Sequence, residues 1–395
     1  MTFWKYILFL TIAIGLYGLL VHYLARRLFS MLSLSRTARY AIYGGLGGLY
    51  LMIGALRRID RFTRFGTWEP VLIGLYTVMV FILFLFFLTL ARDLLWVLMR
   101  LGNRILRRCT RFALLPRDPD AQRRLLQRSS RAILLAAVLM IFVGHYQAMT
   151  TPEPRHVTLV SKKIPPALSG FRMILVSDLH VGPTLKRPFV EHLVDRINAQ
   201  RYDLVAIVGD ISDGPWEKVG PMLAPLARLR KPVYFVPGNH EIYWKFPSWR
   251  RNLSALGVIV LTEKHVLIEH RGARLLLAGI TDVFRWSGGS THKTSNPAFA
   301  LAGAPPADYR ILLAHRPTAA ASAREAGFDF MLSGHTHGGQ FFPLTLITRL
   351  FQKHGHGLSH EGSLTLFTTR GAGFWGPPVR LFSPPEFVVL TLSNK

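Results

Sequence analysis

Apolar residues come first in long uncharged runs and then, beyond about residue 150, in bursts of four or five that end in polar or glycine-rich turns. Four long runs, about Trp4–Leu24, Ala41–Leu56, Trp68–Leu90 and Ala132–Met149, predict helices. The third is the strongest: Val71–Leu90 carries no charge and matches the roughly 20 residues needed to cross a hydrocarbon core. The second contains Gly44, Gly45, Gly47 and Gly48, a small-residue face suited to close helix packing. The first run is read as a retained span rather than a signal peptide, because Lys5 is a meagre basic start and Arg26 and Arg27 follow it instead of a small-residue cleavage site. An all-α transmembrane region of about four spans is therefore expected over residues 1–150.

After it the texture changes. Pro152 and Pro154 mark residues 151–164 as an extended linker. Met173–Val176, Leu204–Val208, Val233–Val236, Leu275–Ala278, Ile311–Ala314 and Phe328–Leu332 then read as buried strands, too short and too apolar for surface helices. Helix-like stretches such as Val190–Ala199 and Ser322–Ala326 lie between them. Strands alternating with helices predict a layered α/β fold for residues 165–395, and no internal repeat interrupts it.

At 395 residues the chain exceeds the usual single-domain size, which agrees with this division. The net charge of +26 would ordinarily raise nucleic acid as a partner, but position argues otherwise. Up to Thr150 there are 20 Lys plus Arg and 5 Asp plus Glu, mostly between the apolar runs, where they hold topology and meet anionic lipid. No nucleic-acid module is present, so no nucleic acid is expected. The connections between runs carry four, four and eleven Arg; with the first and third in the cytoplasm, fifteen Arg lie inside and four outside. That places the 165–395 domain on the outer side of the inner (plasma) membrane. The single cysteine, Cys109, excludes an intrachain disulfide and leaves the compartment undecided.

Chemistry sits where the predicted strands stop. The residues that follow them are Ser177-Asp178-Leu179-His180, Gly209-Asp210, Gly238-Asn239-His240-Glu241, His315 and Gly334-His335-Thr336-His337. In layered α/β sheets the carboxyl ends of strands gather ligands, so groups spread over some 160 residues can converge. Carboxylate, imidazole and one amide suit borderline metals such as manganese, iron or zinc rather than calcium. A two-metal centre needs a carboxylate that reaches both ions, and Asp210 is the candidate. Each piece alone has a bland reading, as a cap, a turn or a core histidine. Five in order at strand ends do not.

This set resembles the calcineurin-like metallophosphoesterase superfamily, whose order is D-x-H, G-D, G-N-H-E, H and G-H-x-H. The stretches LSGFRMILVSDLHVG, GHTHGGQ and RGAGFWGPPVRLFSPPEFVVL are similar to its membrane-associated branch typified by YkuE, over roughly Pro165–Ser393. The resemblance implies a four-layer α/β/β/α sandwich and two divalent metal ions. Asp178, His180, Asp210 and His337 would hold one; Asp210, Asn239, His315 and His335 would hold the other. His240 would act on phosphate or leaving group rather than bind metal, with Asp213 orienting it and keeping it protonated. The nucleophile would be a bridging hydroxide.

Departures narrow the reading. Gly209–Pro215 reads GDISDGP, without the Arg that clamps phosphate in the superfamily's phosphoprotein phosphatases, which makes a protein phosphatase a poor fit. His240-Glu241 cannot open an HExxH protease motif because position 244 is Trp244. His354, His356 and His360 are read as a plain polar loop, and Trp244, Phe246, Trp249, Phe374 and Trp375 as either core or an apolar wall by the site. The expected function is a membrane-anchored phosphoesterase acting on a phosphate mono- or diester, with a phospholipid or lipid-linked phosphate among the candidate substrates. Its rivals are a cytoplasmic-facing nucleotide or lipid-precursor pyrophosphatase and an inactive membrane scaffold.

Overall fold

The computed structural model describes residues 3–32, 34–62, 68–109, 113–230, 232–282 and 295–395. The chain divides into two compact units, 1–144 and 145–395.

Among the described residues, the four apolar runs lie in four helices: α1 (Phe3–Arg27), α2 (Arg36–Phe62), α3 (Glu69–Cys109) and α4 (Pro119–Met149). Two of them are long and apolar enough to cross a membrane, over Glu69–Leu106 and Pro119–Met149. The side chain of Cys109 and those of Arg57, Arg58, Arg61 and Arg64 lie outside the described residues. A Cβ added at Gly44, Gly45 or Gly48 would meet nothing within 4 Å, so these glycines do not seat a close helix contact within the chain. Polar ties join the helices instead. Buried Asp93 of α3 accepts from Tyr23 Oη at 2.8 Å and from Arg27 Nε at 2.6 Å, both on α1, and Arg92 donates to Ser130 Oγ of α4 at 2.9 Å.

The second unit is built on two mixed six-stranded sheets among the described residues. Its strands are β1 (Glu153–Val160), β2 (Arg172–Val176), β3 (Leu204–Val208), β4 (Val233–Val236), β5 (Val258–Val260), β6 (Lys264–His270), β7 (Ala273–Gly279), β8 (Tyr309–Leu313), β9 (Phe330–Ser333), β10 (Gly357–Glu361), β11 (Leu364–Thr368) and β12 (Glu386–Ser393). The first sheet runs β1-β12-β2-β3-β4-β5 and the second β10-β11-β9-β8-β7-β6. Strands β2 to β5 are mutually parallel, as are β7, β8, β9 and β11.

Strand periodicity sorts the side chains. Met173, Leu175, Ala206 and Val208 of the first sheet share one buried cluster with Leu275, Leu277, Ile311, Leu313, Phe330 and Leu332 of the second. The intervening Leu276, Leu312 and Met331 turn the other way, into a separate cluster with Ala320 and Ala323 of α9 (Ala320–Glu325). On the chain between β2 and β3, α5 (Arg187–Asn198) buries Phe189, Val190, Leu193, Val194 and Ile197, an i, i+4 stripe. Each fully buried large apolar side chain contributes about 1.5–3 kcal/mol. Because both faces of the parallel strands are covered, their sequences read as uninterrupted apolar bursts.

The segment 151–164, expected as a linker, contains β1, which pairs in parallel with β12 from Glu153↔Glu386 to Val160↔Ser393. The prolines concealed it: Pro154 stands at the sheet's edge strand, where a missing N–H costs little. The same edge position explains why β6 and β10, with half-exposed side chains, gave no apolar burst.

Candidate metal centre

Parallel strands aim their carboxyl ends the same way, so the loops after β2, β3 and β4 of one sheet meet those after β8 and β9 of the other. Backbone bonds lace these loops together. Asp178 N donates to Gly209 O at 3.0 Å, His180 N to Asp210 O at 3.1 Å, and Gly334 N to His315 O at 2.9 Å. The approach is close enough to require glycine: a Cβ at Gly238 would lie 2.1 Å from Asp210 Oδ1, and one at Gly334 2.0 Å from Ser177 Oγ. The backbone is strained at the candidate ligands themselves. Asp178, His180, Asp210, His335 and His337 have φ of 54°, 47°, 52°, 71° and 51°, the left-handed region that non-glycine residues occupy at a cost of about 1–3 kcal/mol each. Such strain concentrates at functional sites.

The side chains form three overlapping groups able to hold a cation: Asp178, His180 and His337; His180, Asp210 and His240; and Asp210, His315 and His335, with donor atoms within 4.8 Å of one another in each group. His180 Nε2 lies 3.1 Å from His337 Nε2, and His337 Nε2 lies 3.6 Å from Asp178 Oδ1. On the other side, His315 Nε2 is 3.1 Å from Asp210 Oδ2 and 3.2 Å from His335 Nδ1. Asp210 therefore stands between the two sets. Asn239 is buried beside them, its Oδ1 accepting from Arg316 Nη2 at 3.2 Å.

Outer partners set which ring nitrogen is offered. His315 Nδ1 donates to Val208 O at 2.7 Å and His180 Nδ1 to Asp213 Oδ1 at 2.9 Å, which turns both Nε2 atoms inward. The donor set and its orientation fit borderline divalent ions.

His240 stands apart from the tight contacts, with Nε2 3.9 Å from Asp210 Oδ2 and Nδ1 2.5 Å from Asp213 Oδ1. Burial alone would lower its pKa; Asp210 and Asp213 outweigh burial and raise it to about 9, so the ring is protonated at neutral pH. For Asp213, burial opposes ionisation, but His180 and His240 hold its carboxyl far below the usual range. Burial, then His315 and Arg316, push His335 down to about 3; burial, then His180 and Arg380, hold His337 well below the ordinary imidazole value. Both are neutral, as ligands must be.

Two contributors, Glu241 and Arg380, and one contact of Asp213 lie outside the sequence reading. Glu241, fully buried, accepts from the backbone N–H of Asp210, Ile211 and Gly238, each at 2.9 Å, and so clamps the loop after β3 to the loop after β4. Burial and then Asp210 raise its carboxyl to about 7. Arg380, also fully buried, places Nη2 3.0 Å from His337 Nδ1 and donates to Ser383 O and Gly373 O. Asp213 was read as serving His240 alone and also holds His180. Glu241 was visible as the last letter of GNHE, and Arg380 as a charge inside an apolar stretch.

Of the five aromatics, Trp249 is core, packed on Trp216 at 5.1 Å, while half-exposed Trp375 has its ring 6.4 Å from that of His240. His354 binds Ser359 and Glu361, and His360 binds Thr365; among the described residues none of His354, His356 and His360 joins a cation-holding group.

Residues 171–339 match the family model for calcineurin-like phosphoesterases. An uncharacterised metallophosphoesterase of Helicobacter pylori (strain J99) is 34% identical over 267 residues, 66% of this chain and 69% of that protein. A transmembrane protein with metallophosphoesterase domain from Danio rerio is 31% identical over 338 residues, 82% of this chain and 72% of that protein. The uncharacterised metallophosphoesterase YkuE of Bacillus subtilis is 26% identical over 278 residues, 66% of this chain and 94% of that protein.

Proposed function

Because the chain belongs to the calcineurin-like metallophosphoesterase family, we propose that it is a membrane-anchored hydrolase of phosphate mono- or diesters that works with two divalent ions. The observation that carries this reading is the convergence of Asp178, His180, His315, His335 and His337 from both sheets around Asp210, which belongs to two of the three cation-holding groups. Asp178, His180, Asp210 and His337 would hold one ion, and Asp210, Asn239, His315 and His335 the other. The shared core and the helix-backed outer cluster support a four-layer α/β/β/α sandwich.

Divalent ions, when bound, supply Lewis acidity toward phosphoryl oxygens and lower the pKa of the attacking water. The chain's own part follows from the contacts. Asp213 and Val208 O fix the orientation of His180 and His315. Protonated His240, held at Nδ1 by Asp213, keeps Nε2–H to give to the leaving alkoxide. Asp213 remains ionised while that proton moves.

Two helices apolar enough to span a bilayer, and relatives named as transmembrane proteins, support membrane association. We place the chain in the plasma membrane with several spans and the phosphoesterase unit outside the cytoplasm. Protease added to intact spheroplasts should then degrade residues 165–395; complete protection would reverse the topology.

The function is tested on the full chain in detergent, with bound metal measured by elemental analysis and hydrolysis followed on para-nitrophenyl and bis-para-nitrophenyl phosphate. About two ions per chain and hydrolysis of at least one ester are expected. Two bound ions without hydrolysis under manganese, iron or zinc would mark the fold as an inactive scaffold.

A further inference from the structure

Helix α10 spans Leu344–Phe351; between α5 and it the chain forms α6 (Trp216–Leu223), α7 (Asn239–Tyr243), α8 (Phe246–Ala255) and α9. Helix α10 is inside out. The residue it buries is Thr348, whereas Leu344, Leu346, Ile347, Leu350 and Phe351 are exposed, Leu350 at 67% and Phe351 at 80%. In a water-facing helix the arrangement would be the reverse, since burying one Leu or Phe is worth about 1.5–3 kcal/mol.

The exposed face does not stand alone. Gln340, which precedes α10, donates to Trp375 O at 3.1 Å and Pro377 O at 3.0 Å and accepts from Trp375 N at 2.9 Å. Phe342 packs edge-on against Phe382 at 6.1 Å. Phe382 is 73% exposed and is held there by a φ of 62°, a conformation that a bulky side chain adopts only under constraint. Helix α10 and the Trp375–Phe382 loop are thus one apolar platform. Its helix begins seven residues after His337, and its Trp375 edge reaches His240. Soluble monomers rarely show contiguous apolar patches beyond a few hundred Å².

The occupant that best fits is a bilayer. The same chain carries α3 and α4, long and apolar enough to cross one. Three residues, 150–152, separate the end of α4 from the start of β1, a connector of at most about 11 Å, so a spanning α4 keeps this domain at a membrane surface. Arg349 is exposed on the same helix, and the chain's net charge of +26 suits anionic headgroups. A tryptophan at the platform's edge is where a membrane interface places one.

We propose that the outer face of α10, together with Trp375 and Phe382, enters the headgroup–acyl boundary of an anionic phospholipid bilayer, and that the metal centre consequently meets its substrates at the membrane surface. The contact does not depend on the phosphoesterase reading; only what it delivers to the site does. The test therefore does not use activity.

Full-length protein with Cys109→Ser receives Phe351→Cys or, as a second site on the platform, Leu346→Cys; Ser254→Cys on α8 serves as the exposed comparison. Each is labelled with an environment-sensitive nitrobenzoxadiazole dye and reconstituted into phosphatidylcholine–phosphatidylglycerol vesicles. Labels at 351 and 346 should emit at shorter wavelength than the label at 254, and doxyl groups on the acyl chains should quench them selectively. If they are instead quenched by aqueous iodide to the same extent as the label at 254, the platform is in water and the proposal fails. Disulfide dimers in the unlabelled Phe351→Cys sample, together with a labelled sample that escapes doxyl quenching, would overturn it in favour of a second copy as the covering surface. Because metal content and ester hydrolysis are measured separately, a failed phosphoesterase reading leaves this result interpretable.

Discussion

Removing Asp213 should do two things that removing His240 does only in part. Its Oδ1 lies 2.9 Å from Nδ1 of His180, a candidate ligand, and 2.5 Å from Nδ1 of His240, the candidate acid. Asp213→Ala frees the His180 ring to rotate and to change tautomer. Loss of such an outer partner costs about 10–100-fold in metal affinity, or about 1.4–2.7 kcal/mol. It also removes one of the carboxylates that raise His240 to about 9 against the opposing effect of burial, so the alkaline limb of turnover should move down toward the ordinary imidazole value. His240→Ala removes proton donation alone, worth about 10²–10⁴-fold in turnover. The assay is a manganese titration of chelator-treated full chain in detergent, with bound ions and turnover read in parallel. At limiting metal, Asp213→Ala should be depleted of ions and His240→Ala should not. At saturating metal both should be slow, and His240→Ala should be slower on an alkyl phosphate than on para-nitrophenyl phosphate, whose leaving group needs little protonation. Wild-type metal affinity in Asp213→Ala would refute its hold on His180; loss of an ion in His240→Ala would make that residue a ligand.

Glu241→Ala orphans three buried N–H groups at about 1–3 kcal/mol each, partly offset because burial and Asp210 already disfavour its charge; thermal unfolding of the full chain should show a clear drop, smaller for Glu241→Gln, and an unchanged midpoint would contradict the clamp. Gly238→Ala forces a Cβ to 2.1 Å from Asp210 Oδ1 and should abolish metal binding, so a metal-replete variant would show that the two loops can part without loss. Phe330→Ala opens a cavity in the cluster shared by both sheets and should cost about 3–5 kcal/mol in a denaturant titration, with a cost below about 1 kcal/mol indicating a core that collapses freely.

The candidate ligands were legible because their signal is local: an apolar burst reports a strand buried on both faces, and the polar residue after it reports a carboxyl end. Leu204–Val208 and Val233–Val236 were read to the residue for that reason. Strand β1 was not, since Pro152 and Pro154 carry the signature of a linker and only pairing with β12, more than 200 residues away, makes the segment a strand. The supporting contacts were equally hidden. Asp213 reaches His180 across 33 residues of sequence, Arg380 reaches His337 across 43, and Glu241 collects N–H groups from a loop about 30 residues upstream. Residue type and spacing showed that Asp213 serves His240, but not that Asp213 holds His180, that Glu241 gathers three N–H groups or that Arg380 lies buried against His337. The reversal of α10 shows the same limit from the other side. Its sequence, LTLITRLF, is mostly apolar, and only the packing of Thr348 inward determines that the leucines face out. Amino-acid pattern specifies which residues prefer burial, whereas which face meets the protein is decided by contacts among segments distant in sequence.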